Sequence, residues 1–315
     1  MKENSNFEVT IIGVGNIGLR YYQAILEINC VRKINLIEKK IQNIEERISS
    51  INPFNKEINI TDSISNQLLK SDLIIISTTS YERYEICKKL QYLGYKGKLI
   101  LEKFLFPNEK ILSNAEILFD LYPSNIYVNQ WMRKTNLKKI INLVAPVDIE
   151  VMGDNLGLLC NSVHFIDLIC ETYKSKIFEI DLNFSYIDRI FKSKRSGYIE
   201  MCGKLSWKDK ENSITFSIED RAIEGSNKDI YFKINNQSAT TKYLYSDREL
   251  KNLNSGFIDY IPYLSEHAKD TVNSILHGKN PGIPKFKDSV KHHYLVFEAL
   301  SKILSKKDYE LIQIT

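Results

Sequence analysis

Phe7-Glu8-Val9-Thr10-Ile11-Ile12-Gly13-Val14-Gly15-Asn16-Ile17-Gly18 decides how the rest of this 315-residue chain is read. A β-branched apolar run, Val9 to Ile12, enters three glycines spaced G-x-G-x-x-G, and helix-like sequence from Leu19 to Ile28 follows at once. In a strand–turn–helix setting each glycine has a physical task. Gly13 permits a tight turn, Gly15 lets a pyrophosphate approach the backbone without meeting a Cβ, and Gly18 lets the helix pack closely on its strand. The N–H groups that open the helix, around Asn16 and Ile17, then face phosphate. The next strand-like run, Ile34 to Ile37, ends at Glu38, 20 residues beyond Gly18. That is where an acidic side chain takes the ribose hydroxyls of NAD.

Outward from this stretch, short β-rich runs alternate with helical patterns over the first 120 residues, the order of a parallel sheet with crossover helices. A charged helical stretch (Lys39 to Ser49) precedes a short strand (Ile58 to Ile60), and Asp62 or Ser63 is placed to cap a helix running to Lys70. Leu73-Ile74-Ile75-Ile76 has the apolar character of a strand buried on both faces. It ends in Ser77-Thr78-Thr79, small polar residues at the carboxyl end of a strand, where open α/β sheets bind ligands. A helix (Glu82 to Leu93), a strand (Lys98 to Leu101) leading into Glu102-Lys103-Phe104, a helix (Asn108 to Leu121) and a last strand (Ile126 to Asn129) complete the pattern. Residues 1–123 are therefore expected to form a doubly wound Rossmann domain that binds a dinucleotide. Strand-like runs then succeed one another at Glu179 to Tyr186, Tyr198 to Trp207, Ser213 to Ile218, Ile230 to Ile234 and Thr240 to Leu244. Helical patterns flank them at Leu158 to Tyr173, Gly256 to His277 and Phe286 to Leu304. This predicts, over 124–315, an α+β domain with an open, mainly antiparallel sheet arranged as a meander.

Composition narrows the function classes. Hydrophobic residues make up 43% and charged residues 26%, which is globular composition. The formal charge of +4 is a slight excess without a long basic tract, so no nucleic-acid partner is expected and an anionic small substrate fits better. Five cysteines, at 30, 87, 160, 170 and 202, form no C-x-x-C pair, and their odd number argues against a disulfide framework. Met1 to Asn6 lack the apolar core of a signal peptide, and no apolar run approaches the roughly 18 residues of a membrane span. The expectation is a reduced, cytoplasmic protein with no membrane partner. His292-His293 point to different faces of a predicted helix and lack an acidic or cysteine partner at ligand spacing, so no metal site is expected.

Four segments in order carry a family resemblance. They are the glycine motif at 13–18, the run Asp72 to Ser80, the triplet Glu102-Lys103-Phe104, and Cys160-Asn161-Ser162-Val163-His164-Phe165-Ile166-Asp167. Together they resemble the Gfo/Idh/MocA oxidoreductases, relatives of glucose–fructose oxidoreductase and inositol dehydrogenase. In those proteins the corresponding segments are the glycine loop, a strand ending in Thr-Pro, Glu-Lys-Pro and Asp-x-Gly-x-His-x-x-Asp. The stretches Leu101 to Phe106 and Gly153 to Leu168 look like a divergent branch found in bacterial surface-glycan gene clusters. The resemblance implies NAD or NADP in the first domain, a sugar or sugar-derived substrate in the cleft, and a homodimer or homotetramer built on the open sheet of the second domain.

On this resemblance Lys103, at the carboxyl end of a strand, hydrogen-bonds the reacting oxygen, while His164 accepts or donates the hydroxyl proton. An ammonium and an imidazole suit those tasks. The competing readings are a strand-end lysine paired with Glu102 and a structural helix histidine. Three residues depart from the family pattern: Cys160 stands for its aspartate, Ser162 for its glycine and Phe104 for its proline. Cys160 cannot hold a negative charge near His164 as an aspartate does. Asp167 could orient the imidazole instead, or lie on the helix surface. Arg133, Asn161 and Asp167 join Lys103 and His164 as candidate substrate contacts, while Asn129 and Trp131 are softer candidates. The basic turn Lys192 to Gly197 reads as a solvated hairpin before it reads as an anion site.

The cofactor-binding set is Gly13, Gly15, Asn16, Ile17, Gly18, Glu38, Ser77, Thr78, Thr79 and Glu102. Glu38 repels a 2′-phosphate and favours NAD over NADP, although Lys39 and Lys40 follow directly. The sequence thus points to a nicotinamide-dependent oxidoreductase, a sugar dehydrogenase or keto-sugar reductase of surface-glycan biosynthesis. Two alternatives stand beside it: a non-catalytic dinucleotide-binding regulatory or scaffold protein, and a lyase or hydrolase that uses the cofactor transiently.

Overall fold

The computed structural model describes residues 6–49, 51, 55–120, 125–174, 176–221 and 229–315. They divide into two compact units. The expected boundary at Pro123 lies outside the described residues.

The first unit, residues 1–106, 110–129 and 263–287, holds a six-stranded sheet. Its elements run β1 (Phe7–Ile12), α1 (Asn16–Leu26), β2 (Val31–Ile37), α2 (Ile41–Ile48), β3 (Glu57–Thr61), β4 (Leu73–Ile76), α3 (Ser80–Tyr92), β5 (Lys98–Leu101), α4 (Glu109–Asp120) and β6 (Ile126–Val128). The strand order is β3-β2-β1-β4-β5-β6, and every pairing is parallel. Val9 aligns with Leu73 and Ile12 with Ile76, so the central strands β1 and β4 end level with each other. Ile74, Ile75 and Ile76 are fully buried, as a strand covered on both faces requires. Where a helix was expected up to Lys70, the chain makes only a 3-10 turn, Asn66–Lys70, with Ser65 rather than Asp62 or Ser63 before it.

The second unit comprises residues 107–109, 130–262 and 288–315. It contains α5 (Leu137–Ile141), β7 (Val147–Gly153), α6 (Leu158–Thr172), β8 (Phe178–Ile180), β9 (Tyr186–Lys192), β10 (Ile199–Asp209), β11 (Ile214–Asp220), β12 (Ile230–Asn236), β13 (Thr240–Ser246), β14 (Glu249–Asn252) and β15 (Ile258–Tyr260). Its nine strands are ordered β15-β14-β13-β12-β7-β11-β10-β8, with β9 on β10. This is not a simple meander. β7, absent from the expected strands, inserts between β12 and β11 and runs parallel to β11, making the sheet mixed though mainly antiparallel. The reason is visible in β7 itself, where Val147, Ile149 and Val151 alternate with Asp148, Glu150 and Met152, so one face is buried. Trp207 of β10 stacks on Phe216 of β11 at 5.0 Å and is fully buried. Its indole N–H donates to the Leu295 carbonyl at 3.3 Å.

The helical stretch expected to flank the second sheet instead belongs to the first unit. α7 (Leu264–Leu276) packs on α1. Its stripe Ala268, Val272, Ile275 and Leu276 joins the core formed by Val9, Ile11, Tyr21, Ile25 and Leu36. The ammonium of Lys98 donates to the Ile275 carbonyl at 2.6 Å and fixes the carboxyl end of α7. Chain then leads through α8 (Phe286–Ile303), which belongs to the second unit from Asp288 on, to α9 (Lys306–Glu310). No helix among the described residues is long and apolar enough to cross a membrane.

Candidate functional site

In the order β3-β2-β1-β4-β5-β6 the connections reverse direction between β1 and β4, which is where open α/β sheets bind ligands. The structure brings Gly13, Gly15 and Gly18 of the first turn and Ser77, Thr78 and Thr79 of the second to this place. Gly13 adopts φ +87°, and a Cβ there would lie 2.7 Å from Thr78 Cγ2. A Cβ on Gly18 would fall 2.2 Å from the Gly13 carbonyl oxygen. The Ser77 hydroxyl donates to that same oxygen at 2.7 Å. Around Gly15 the reverse holds, for a Cβ there would meet nothing within 4 Å. Two glycines are thus required by packing, and the middle one borders open space.

Both helices that begin here, α1 after Gly15 and α3 after Thr79, lack a side-chain cap. The amino end of α1, with no acidic residue in its first turn, turns the positive end of its dipole to this place, where an anion is favoured. Thr78 Oγ1 is buried there with no hydrogen-bond partner among the described residues. These features fit the diphosphate of a dinucleotide.

Glu38, at the end of β2, accepts from the Val14 N–H at 2.9 Å and from the Lys39 N–H at 3.0 Å, so it also anchors the glycine turn. Lys39 pairs with Glu82 of α3. Two side chains that sequence reading overlooked complete the surroundings. Arg47 of α2 donates to the Val14 carbonyl at 2.9 Å and to Asn16 Oδ1 at 3.0 Å. Arg83 of α3 is buried and donates to the carbonyls of Thr78 at 2.5 Å, of Leu105 at 2.7 Å and of Phe104. It therefore ties the Ser77–Thr79 turn to the chain just beyond Lys103. The Lys103–Phe104 peptide is cis.

Glu102 is buried, and its Oε1 accepts from the Asn129 amide at 2.6 Å. Burial pushes its carboxyl above the ordinary carboxylate range, opposed by Asn129, Arg83, Lys103 and Tyr21. Tyr21 of α1 shares a hydrogen bond with Glu102. Burial first, then that carboxylate, raises the phenol well above its usual value. Lys103 itself is half-buried at the end of β5.

In the second unit His164 lies buried on α6, with the Trp131 ring 5.8 Å away, centroid to centroid, and tilted by 59°. Asp167 is at 0% exposure, not on the helix surface. Its carboxylate receives both the Nε (2.7 Å) and an Nη of Arg133, and lies 3.2 Å from His292 Nδ1. Arg133 also pairs with Glu171 at 3.1 Å. Burial opposes the Arg133 charge, but the hydrogen bond and charge of Asp167 outweigh it and raise the pKa. Asp167 thus braces α6 against the Trp131–Lys134 turn and α8. The acidic group that faces His292 thus comes from 125 positions away in the sequence.

Asn161 turns back on its own loop and donates to the Leu156 carbonyl at 2.6 Å. A carboxylate stands at Cys160 after all, supplied by Glu200 of β10. It accepts from the N–H groups of Leu159 at 2.6 Å and Cys160 at 3.3 Å, and from the Cys160 thiol. Burial raises the Glu200 carboxyl against those bonds. The turn Lys192 to Gly197 links β9 to β10, with Lys192, Lys194 and Arg195 exposed, as a solvated hairpin would have them. His293 Nδ1 faces the Ser289 carbonyl at 2.8 Å. Among the described residues no three His, Cys, Asp or Glu side chains are grouped to hold a metal.

The chain is a mixed α/β protein with a doubly wound parallel sheet and a second, mainly antiparallel one, the fold class expected from its sequence. Several solved structures share it from end to end. A proposed NADPH-dependent oxidoreductase of Desulfitobacterium hafniense superposes with a TM-score of 0.70 at 10% identity, over 95% of each chain. The dehydrogenase MviM of Clostridium difficile gives 0.67 at 18% identity, over 95% of this chain and 100% of its own. The myo-inositol dehydrogenase of Lactobacillus casei, solved with NAD(H) and myo-inositol, gives 0.68 at 11% identity, over 98% of this chain and 97% of its own. No family model and no curated protein matches the sequence.

Proposed function

We propose that this chain is a nicotinamide-dependent oxidoreductase of the Gfo/Idh/MocA type, acting on a sugar or sugar-derived substrate. The observation that carries the proposal is the glycine turn at the β1–β4 switch, open at Gly15 and flanked by two uncapped helix N-termini. The end-to-end likeness to solved dehydrogenases supports it, one of them holding NAD(H) and an inositol.

When bound, the nicotinamide supplies the hydride acceptor or donor. The chain's own residues do the rest. Gly13, Gly15, Asn16, Ile17 and Gly18 cradle the diphosphate. Glu38 offers its remaining carboxylate lone pairs to the adenosine ribose, which favours NAD over NADP. Ser77, Thr78, Thr79 and Glu102 shape the second wall. Lys103 polarises the reacting oxygen and His164 moves the proton. Arg133, Asn161 and Asp167 hold the wall of the second unit around His164. A surface-glycan intermediate as substrate, the cytoplasm as the place of action, and a homodimer or homotetramer built on the open sheet complete the proposal.

One observation favours a second reading. Asn161 and Asp167 are committed to intramolecular partners, as expected of a dinucleotide-binding protein without turnover.

Fluorescence titration with NADH and NADPH, beside the same titration of Glu38→Ala, tests the cofactor assignment. Saturable NADH binding that weakens in the variant supports it, and no binding of either by folded protein removes the oxidoreductase reading. A screen of sugars, keto-sugars and sugar nucleotides then separates the two readings. Turnover abolished by Lys103→Ala supports the enzyme, and tight binding without turnover supports the non-catalytic protein.

A further inference from the structure

We propose that Arg47 is a phosphate-binding side chain of the dinucleotide site, a role that rests on the cofactor reading above. Arg47 lies in the last turn of α2, where a cation suits that helix's own dipole. That placement explains a basic residue but not where its guanidinium goes. It reaches across to the glycine turn, donating to the Val14 carbonyl at 2.9 Å and to Asn16 Oδ1 at 3.0 Å.

Asn16 is the first residue of α1, and α1 carries no acidic residue in its first turn and no side-chain cap. A guanidinium beside the amino end of a helix meets the positive end of the dipole, an unfavourable arrangement unless an anion joins them. The nearest acidic side chain on this turn, Glu38, already accepts from the N–H groups of Val14 and Lys39. Lys39, a cation directly after Glu38, is paired with Glu82. Arg47 has five N–H donors in a planar fork, and two of them account for its bonds to Val14 and Asn16. The half-buried fork keeps three donors for phosphate oxygens at the open side of Gly15.

A dinucleotide presents phosphate from two sources, the diphosphate common to NADH and NADPH and the 2′-phosphate of NADPH alone. The test compares them. Wild type, Arg47→Gln and Arg47→Met are titrated with NADH, NADPH and 2′,5′-ADP, with thermal unfolding as the check on folding. The fully buried Ile44 anchors α2, and glutamine keeps an N–H for the Val14 carbonyl. Methionine is the second variant, keeping the stem without the donors.

Losing charge-assisted hydrogen bonds to phosphate is expected to weaken binding by about tenfold or more. A loss shared equally by NADH and NADPH assigns Arg47 to the diphosphate. A loss confined to NADPH and 2′,5′-ADP assigns it to the 2′-phosphate. Either supports the proposal. Unchanged affinity for all three probes in a folded variant overturns it and leaves the cofactor reading standing. Failure of wild type to bind any of them overturns both.

Discussion

Gly15→Ala and Gly18→Ala separate what the glycine turn does for the fold from what it does for a ligand. A Cβ built on Gly18 falls 2.2 Å from the Gly13 carbonyl oxygen and 2.9 Å from Ser77 Oγ. Backbone must yield there, because the nearer atom is not the end of a flexible side chain. Overpacking of this kind costs about 1–3 kcal/mol. At Gly15 a Cβ meets nothing within 4 Å, and the residue already has φ −68°, which alanine adopts without strain. The unfolded chain loses freedom on that substitution, so Gly15→Ala is expected to leave stability unchanged or raise it by about 0.4–1 kcal/mol. The same methyl group occupies the space through which a diphosphate approaches the turn. Dinucleotide affinity should therefore fall by about tenfold or more, ~1.4 kcal/mol for each factor of ten. Urea denaturation of the ligand-free proteins gives the first quantity, and NADH titration by fluorescence gives the second. Gly18→Ala should lose stability, and Gly15→Ala should lose affinity alone. A Gly15→Ala protein that binds NADH as tightly as wild type would refute the assignment of that space to a ligand.

Three further perturbations have defined outcomes. Arg83→Met deprives the Thr78, Phe104 and Leu105 carbonyls of a buried donor, at roughly 1–3 kcal/mol for each one that water does not reach. Wild-type stability of this variant in urea would show that the guanidinium holds nothing. Asp167→Asn takes from Arg133 the fully buried carboxylate that accepts two of its donors, leaving it Glu171, and is expected to cost up to about 3–5 kcal/mol. The double variant Arg133→Met/Asp167→Leu should recover part of that loss, and additive losses would contradict the pairing. For Glu102, burial raises the carboxyl above its ordinary 4.5. The folded state then takes up the proton before the unfolded chain does. Its contribution to stability is full below about 4.5 and is lost as pH rises through the folded value. Glu102→Gln, neutral throughout, should equal wild type in the most acidic samples and gain on it as pH rises. A difference in urea stability that is flat across pH would rule this out.

Local features were legible in the sequence. The glycine turn, the strands of the first sheet and the acidic residue ending β2 each declare themselves within a dozen residues, through spacing or an apolar run. Pairings between distant positions were not. β7 carries a clear alternation, yet nothing local says that it lies between β12 and β11 and runs parallel to one of them. The apolar stripe of α7 reads as a helix, but whether it covers the second sheet or α1 depends on shape complementarity. Cys160 shows the same limit in a side chain. Its sequence position removes a carboxylate, and Glu200, 40 residues further on, brings one back. Arg47 and Arg83 escaped notice because a lone basic residue on a helix carries no signal until its acceptors are placed around it.

The return of residues 263–287 to the first unit bears on how the molecule is made. A nascent chain that has left the ribosome as far as Asn129 has all six strands of the parallel sheet, but α1 still lacks the cover of Ala268, Val272, Ile275 and Leu276. Translation at roughly 5–20 residues per second leaves that apolar surface bare for on the order of ten seconds while 130–262 are synthesised. Vectorial folding, one unit completed before the next begins, is therefore closed to this chain. A fragment truncated after β6 is expected to engage chaperones or aggregate, and adding the 263–287 segment in trans should rescue it.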